Sequence, residues 1–188
     1  MDAFLISTAV IFVAELGDKS QLMALTFATR FKPLPVLIGI TGATAIVHAI
    51  SVIAGAALGA AIPTRPVTIA AAIAFVGFGL WTLRGDELTE EDQARAATIG
   101  TRHAIIAVGS VFFLAELGDK TMFATVTLAT DHGLFGTWLG STVGMVAADA
   151  LAIVAGRQLG SRLTGRTVRI GAAVAFFAFA AVLLLDAL

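Results

Sequence analysis

AELGDKSQ, Ala14–Gln21, sits inside a hydrophobic run, and AELGDKTM, Ala115–Met122, sits inside another. Six identical letters thus recur 101 residues apart, each time placing two acids and a lysine where apolar residues surround them. An ionised group at the centre of a bilayer costs about 2.5–3.5 kcal/mol on insertion scales. A chain that pays this cost twice, with the same letters, does so for a reason.

The identity extends outward from the motif. Sliding the sequence by 101 lays residues 2–84 on 103–185 without a gap, and about a third of the pairs are identical. Alanine-rich sequence inflates such a figure, so the glycine and polar matches carry the argument. Gly39 meets Gly140, Thr41 meets Thr142, and Gly55, Leu58 and Gly59 meet Gly156, Leu159 and Gly160. Arg65 meets Arg166, and Phe75 and Phe78 meet Phe176 and Phe179.

Composition sets the surroundings. Of 188 residues, 58% are hydrophobic and only 13% charged, about half the charge of an ordinary soluble domain. A formal charge of −1 gives no basis for a nucleic-acid partner. The absence of cysteine excludes disulfides and thiolate metal sites. A spanning helix needs about 20 residues. Six segments qualify: 3–28, 36–61, 67–84, 104–129, 134–160 and 168–186. The N-terminus has no basic region before its apolar run, so it reads as the first span. Pro33, Pro35, Pro63 and Pro66 are expected between spans.

The expected fold is therefore an all-α integral membrane protein, 1–188 as one domain. Residues 1–84 and 103–188 form two three-helix repeats joined by a charged cytoplasmic connector, 85–102. Three is odd, so the repeats enter from opposite sides, an inverted repeat of the kind common in secondary transporters. With both termini outside, the inner loops hold Arg30, Lys32, Arg84, Arg95, Arg102, Arg157, Arg162, Arg166 and Arg169, and the outer side only Arg65. Nine cations against one satisfies the positive-inside rule for an inner or plasma membrane.

Inversion brings Glu15, Asp18, Glu116 and Asp119 together near the midplane. Each Glu–Asp pair is spaced i, i+3, so its two acids share a helix face. Four carboxylates and the ammoniums of Lys19 and Lys120 sum to −2, which one divalent cation cancels. All-oxygen ligands suit hard ions such as Mn²⁺, Ca²⁺ and Mg²⁺. Ser20, Gln21, Thr121 and backbone carbonyls freed near Gly17 and Gly118 complete such a shell. Without the cation, crowded carboxylates hold protons instead, so metal and proton compete for one site. The bland alternative is a set of Glu–Lys pairs at i, i+4 that only fix packing.

ELGDKS, Glu15–Ser20, and ELGDKT, Glu116–Thr121, resemble the paired E-x-G-D-[KR]-[ST] signatures of uncharacterised protein family 0016, the Gdt-type cation transporters. That family includes Golgi manganese/calcium transporters and bacterial manganese exporters. The resemblance covers the whole chain, with no departure inside either motif. It implies Mn²⁺ or Ca²⁺ transport in exchange for protons. It also implies that Glu15, Asp18, Glu116 and Asp119 are the metal ligands, supported by Lys19, Ser20, Lys120 and Thr121. The metal is then cargo rather than cofactor.

Two further titratable groups fall mid-span at matched positions, His48 and Asp149, as candidates for the cation or proton path or as packing groups. Gly55–Gly59, Gly140–Gly144 and Gly156–Gly160 are each spaced for close helix contact, within the fold or between two protomers. Thr41 and Thr142 either line the path or bond back to their own helices. Trp81 and Trp138 are expected as interface anchors, and the phenylalanines as core and lipid-facing bulk. The expected function is Mn²⁺ export coupled to protons. A Ca²⁺/H⁺ exchanger of the same mechanism is the alternative. A channel, a metal-using membrane enzyme and a non-transporting membrane subunit are the other classes. No catalytic residue is assigned.

Overall fold

The computed structural model describes residues 1–61, 64–84, 104–159 and 165–187, so the connector and its acids lie outside it. The described elements are eight helices: α1 (Asp2–Glu15), α2 (Lys19–Arg30), α3 (Pro33–Ala61), α4 (Thr64–Arg84), α5 (Ala104–Glu116), α6 (Lys120–Asp131), α7 (Leu134–Leu159) and α8 (Gly165–Ala187).

Two of the expected continuous helices are broken at the motif. Gly17 has φ 78° and Gly118 φ 81°, a left-handed conformation that side chains resist and glycine accepts. α1 therefore ends at Glu15 and α2 restarts after Asp18, whose carboxylate accepts from the Lys19 N–H at 2.8 Å. α5 ends at Glu116 and α6 restarts after Asp119, here without a side-chain cap bond. The i, i+3 face-sharing expected for each Glu–Asp pair thus gives way to a turn. Pro33 and Pro35 also differ from expectation: they open α3 instead of preceding it. Their missing N–H groups fall in the first turn, where no helical partner exists anyway. Pro66 does the same in α4.

The helices pair across the repeat rather than within it. α1 lies along α7, α5 lies along α3, and α4 lies along α8. Glycine makes the first two approaches close. A Cβ on Gly39 would stand 2.7 Å from the Ile105 carbonyl oxygen, and one on Gly140 would collide with the carbonyl of Phe4. These are the same contact twice, since residues 39 and 4 of one half correspond to 140 and 105 of the other. Gly144 meets the Thr8 carbonyl, and Gly55 and Gly59 meet the carbonyls of Val126 and Thr130. The expected glycine spacing at 55–59 and 140–144 is used inside the fold.

α4 and α8 meet through rings. Phe75 and Phe179 lie with centroids 4.9 Å apart at 68°, and Phe75 and Phe176 at 5.9 Å. Trp138 is half-buried, and its indole N–H donates to the Ala45 carbonyl at 2.9 Å, tying α7 to α3. Thr41 and Thr142 bond back to the carbonyls of Leu37 and Trp138, the bland reading of both.

Beside an apolar core, the fold buries charged and polar groups and exposes large apolar ones. Glu15, Asp18, Ser20, His48, Glu116, Asp119, Lys120, Thr121 and Asp149 are buried. Ile106, Phe135 and Leu185 are 69%, 70% and 73% exposed. Polar groups inside and large apolar side chains outside suit a hydrocarbon solvent. α3 and residues Leu134–Val154 of α7 are each long and apolar enough to cross a membrane. α1 and α5, with 14 and 13 residues, are too short to cross singly.

The glycine contacts predict that Gly140→Ala lowers stability by about 1–3 kcal/mol through overpacking against α1. Gly42→Ala, where an added Cβ meets nothing within 4 Å, causes no loss. Reversible unfolding in mixed micelles measures both.

Candidate cation site

The site is assembled at the two helix breaks. Where α1 stops at Glu15, the last turn tightens, with the Leu16 N–H on the Val13 carbonyl at 3.2 Å and the Asp18 N–H on Glu15 at 3.1 Å. The break leaves carbonyls of α1 and N–H groups of α2 facing one small region, opposite ends of two helix dipoles. α5 and α6 repeat the arrangement, with the Asp119 N–H on the Glu116 carbonyl at 3.2 Å.

Each glutamate is held by the hydroxyl of its own motif. Ser20 donates to Glu15 Oε1, and Thr121 donates to Glu116 Oε2 at 3.0 Å. The other oxygens, Glu15 Oε2 and Glu116 Oε1, have no hydrogen-bond partner among the described residues. Each motif therefore presents one tethered and one unsatisfied carboxylate oxygen, fully buried.

The lysines do not pair with the glutamates of their own motifs, as the i, i+4 alternative would have it. They cross. Lys19 Nζ lies 3.0 Å from Asp119 Oδ1, and Lys120 Nζ lies 2.6 Å from Asp18 Oδ2. Each half neutralises the aspartate of the other. The two bridges are not equally sheltered: the Lys19 side chain is 24% exposed and that of Lys120 is 2% exposed.

The acids come within electrostatic reach of one another across the repeats. Glu15 feels Asp149, Glu116 and Asp18, and Glu116 feels Asp119, Asp18 and Asp149. Among the described residues, however, no three acids or histidines are gathered closely enough to hold a metal ion as they stand. With both aspartates engaged by ammoniums, the carboxylates surround one region without closing on a point. His48 is buried, but no charged group of the site acts on it.

Some of the architecture is not announced by the motif. Gln21 accepts the Gly17 N–H through Oε1 at 2.8 Å and donates through Nε2 to the Ala148 carbonyl at 2.9 Å. It acts as a strap from the first break to α7 rather than as an open ligand. Its counterpart Met122 accepts the Gly118 N–H through sulfur at 3.2 Å. Thr44 donates to the Met145 sulfur at 3.4 Å. Those two residues are counterparts at the 101-residue offset, so α3 and α7 touch through matching positions.

Comparisons with known proteins give the family. The family described as "Divalent cation/proton antiporter GDT1" matches residues 3–90 and 104–188. The chain belongs to that family. Among similar proteins, one named "Putative manganese exporter" from Vibrio cholerae is 31% identical over 84% of this chain and 78% of its own length. A GDT1-like protein of Synechocystis is 29% identical over 97% of this chain and 96% of its own. The Saccharomyces cerevisiae protein named divalent cation/proton antiporter GDT1 is 25% identical over 96% of this chain and 82% of its own. No solved structure matches the chain. The family is one of membrane transporters, which agrees with the buried charges and the exposed apolar side chains of the fold.

The crossed bridges make a testable demand. Lys120→Met leaves Asp18 buried beside other acids, and breaking a buried pair in this way costs about 3–5 kcal/mol. Adding Asp18→Asn to Lys120→Met recovers part of that loss. A double-mutant cycle on thermal unfolding should give a coupling energy of about 0.5–3 kcal/mol.

Proposed function

We propose that this chain exports Mn²⁺ from the cytoplasm in exchange for protons, through a carboxylate site that faces each side of the membrane in turn. The observation that carries the reading is the reciprocal pairing of Lys19 with Asp119 and Lys120 with Asp18, beside two hydroxyl-held glutamates at facing helix breaks. Carboxylate and hydroxyl oxygens in number, with no cysteine in the chain, select hard divalent ions. The manganese assignment draws on the name of the Vibrio relative.

In this reading α1 with α2 and α5 with α6 each act as one interrupted span, giving six spans in two inverted repeats. Residues 1–84 and 103–188 are the repeats, and 85–102 is the cytoplasmic connector. Both termini face outward, a reading that the nine-to-one distribution of loop cations supports. Interrupted spans at the midplane are how many secondary transporters build substrate sites, because freed carbonyls there can replace water around an ion.

Each residue has a distinct task. Glu15, Asp18, Glu116 and Asp119 offer oxygens to the cation. Ser20 and Thr121 fix one oxygen of each glutamate, so the other points into the site. Lys19 and Lys120 stand in for the cation on the aspartates when the carrier is empty, and swing away when it binds. Protons carried by the same carboxylates keep the site near neutral on the return path. Binding of metal and of protons is then mutually exclusive, which is what couples the two fluxes.

The test uses the full chain in liposomes that enclose a metal-sensitive dye and a pH dye. Mn²⁺ uptake saturates, moves protons the opposite way, and falls by roughly 10–100-fold or more in Glu116→Gln. Faster Ca²⁺ than Mn²⁺ flux keeps the mechanism and changes the ion. Absence of flux for either ion, from protein shown to be folded, defeats the reading.

A further inference from the structure

The two halves are not chemically equal at one place next to the site. The 101-residue offset puts His48 on α3 opposite Asp149 on α7, each one helical turn beyond the Thr44–Met145 contact. Both side chains are buried, at 1% and 0% exposure. Their surroundings differ. Asp149 lies within electrostatic reach of Asp18, Glu15 and Glu116, whereas among the described residues burial, not a charge of the site, dominates the surroundings of His48.

Neither oxygen of Asp149 has a hydrogen-bond partner among the described residues. A buried carboxylate with no donor is expensive, so a residue retained in that state is waiting for a positive partner. The two nearby ammoniums are already placed, on Asp119 and on Asp18. Gln21 then fixes where Asp149 stands. By joining the Gly17 N–H to the Ala148 carbonyl, it holds the turn of α7 that carries Asp149 against the first break. The mirror position cannot be held this way. The Met122 side chain has no N–H to give, and the Val47 carbonyl, counterpart of Ala148, accepts from Ser51 instead.

From these contacts the geometry points to Asp149 as a fifth carboxylate ligand of the transported divalent cation, supplied by α7 and positioned by Gln21. It deepens the carrier reading above and rests on it. The site is then lopsided: α7 brings an acid, and α3 brings none at the matching place. A hard cation such as Mn²⁺ gains an oxygen on one side of the site only.

The test is Mn²⁺ binding to the full chain in lipid nanodiscs, read from the electron paramagnetic resonance of free Mn²⁺, with thermal unfolding to confirm folding. Asp149→Asn weakens binding by roughly tenfold or more, and Asp149→Glu recovers part of it. Gln21→Met weakens binding by about threefold alone and adds nothing to Asp149→Asn, because it acts only through that carboxylate. Wild-type affinity in folded Asp149→Asn overturns the assignment. Should Asp149→Asn not fold, Gln21→Met decides: a loss of about threefold supports the ligand role, and unchanged affinity ends it. Glu116→Gln runs alongside. If it loses binding while Asp149→Asn does not, only this inference falls; if neither loses binding, the whole carboxylate site falls with it.

Discussion

Two ion pairs hold the centre of this protein, and each joins one half of the chain to the other. Lys19 reaches Asp119 and Lys120 reaches Asp18. Without them, four buried acids would repel one another in a medium that screens little, and the halves would be driven apart where they meet. The remaining architecture serves that meeting. Gly17 and Gly118 supply the left-handed turns that stop α1 and α5, so that glutamate and aspartate sit on either side of a break. Gly39, Gly140 and Gly144 then let helices of opposite halves approach backbone to backbone, which brings the breaks within reach of each other.

Much of this was legible in the sequence. The doubled AELGDK, the gapless offset of 101 and the glycine matches pointed to two equivalent helical halves with buried acids at their junction. The glycine spacing at 55–59 and 140–144 pointed to close helix contact, and the structure places it inside the fold. Local spacing misled where it assumed an unbroken helix. It put Glu15 with Asp18 on one face and left Glu–Lys pairing within a motif as the simple alternative. Gly17 at φ 78° cancels both, since a turn there sends Lys19 toward the other half. A spacing rule sees only its own helix, and the partner of Lys19 lies a hundred residues away.

The same limit explains Gln21 and Trp138. Read alone, Gln21 is one more oxygen near a metal, and Trp138 an aromatic near a helix end. Their donors instead go to the carbonyls of Ala148 and Ala45, on helices that no local pattern pairs with them. The Phe75 and Phe78 matches to Phe176 and Phe179 were easier, because apolar counterparts that meet in the core need only bulk to be recognised. Position-specific polar contacts across repeats are what a single sequence conceals.

The crossed lysines have a consequence for how such a chain can be divided. Cut at the connector, each half would carry one motif whose lysine and aspartate both lack their partners. Neither piece would hold a crossed ion pair, and each would be completed only by a second motif-bearing copy. The single polypeptide therefore behaves as a dimer whose subunits happen to be fused, with the stoichiometry of its centre fixed by the covalent link. Joined halves need not be identical: position 149 carries an acid where its counterpart, position 48, carries a histidine.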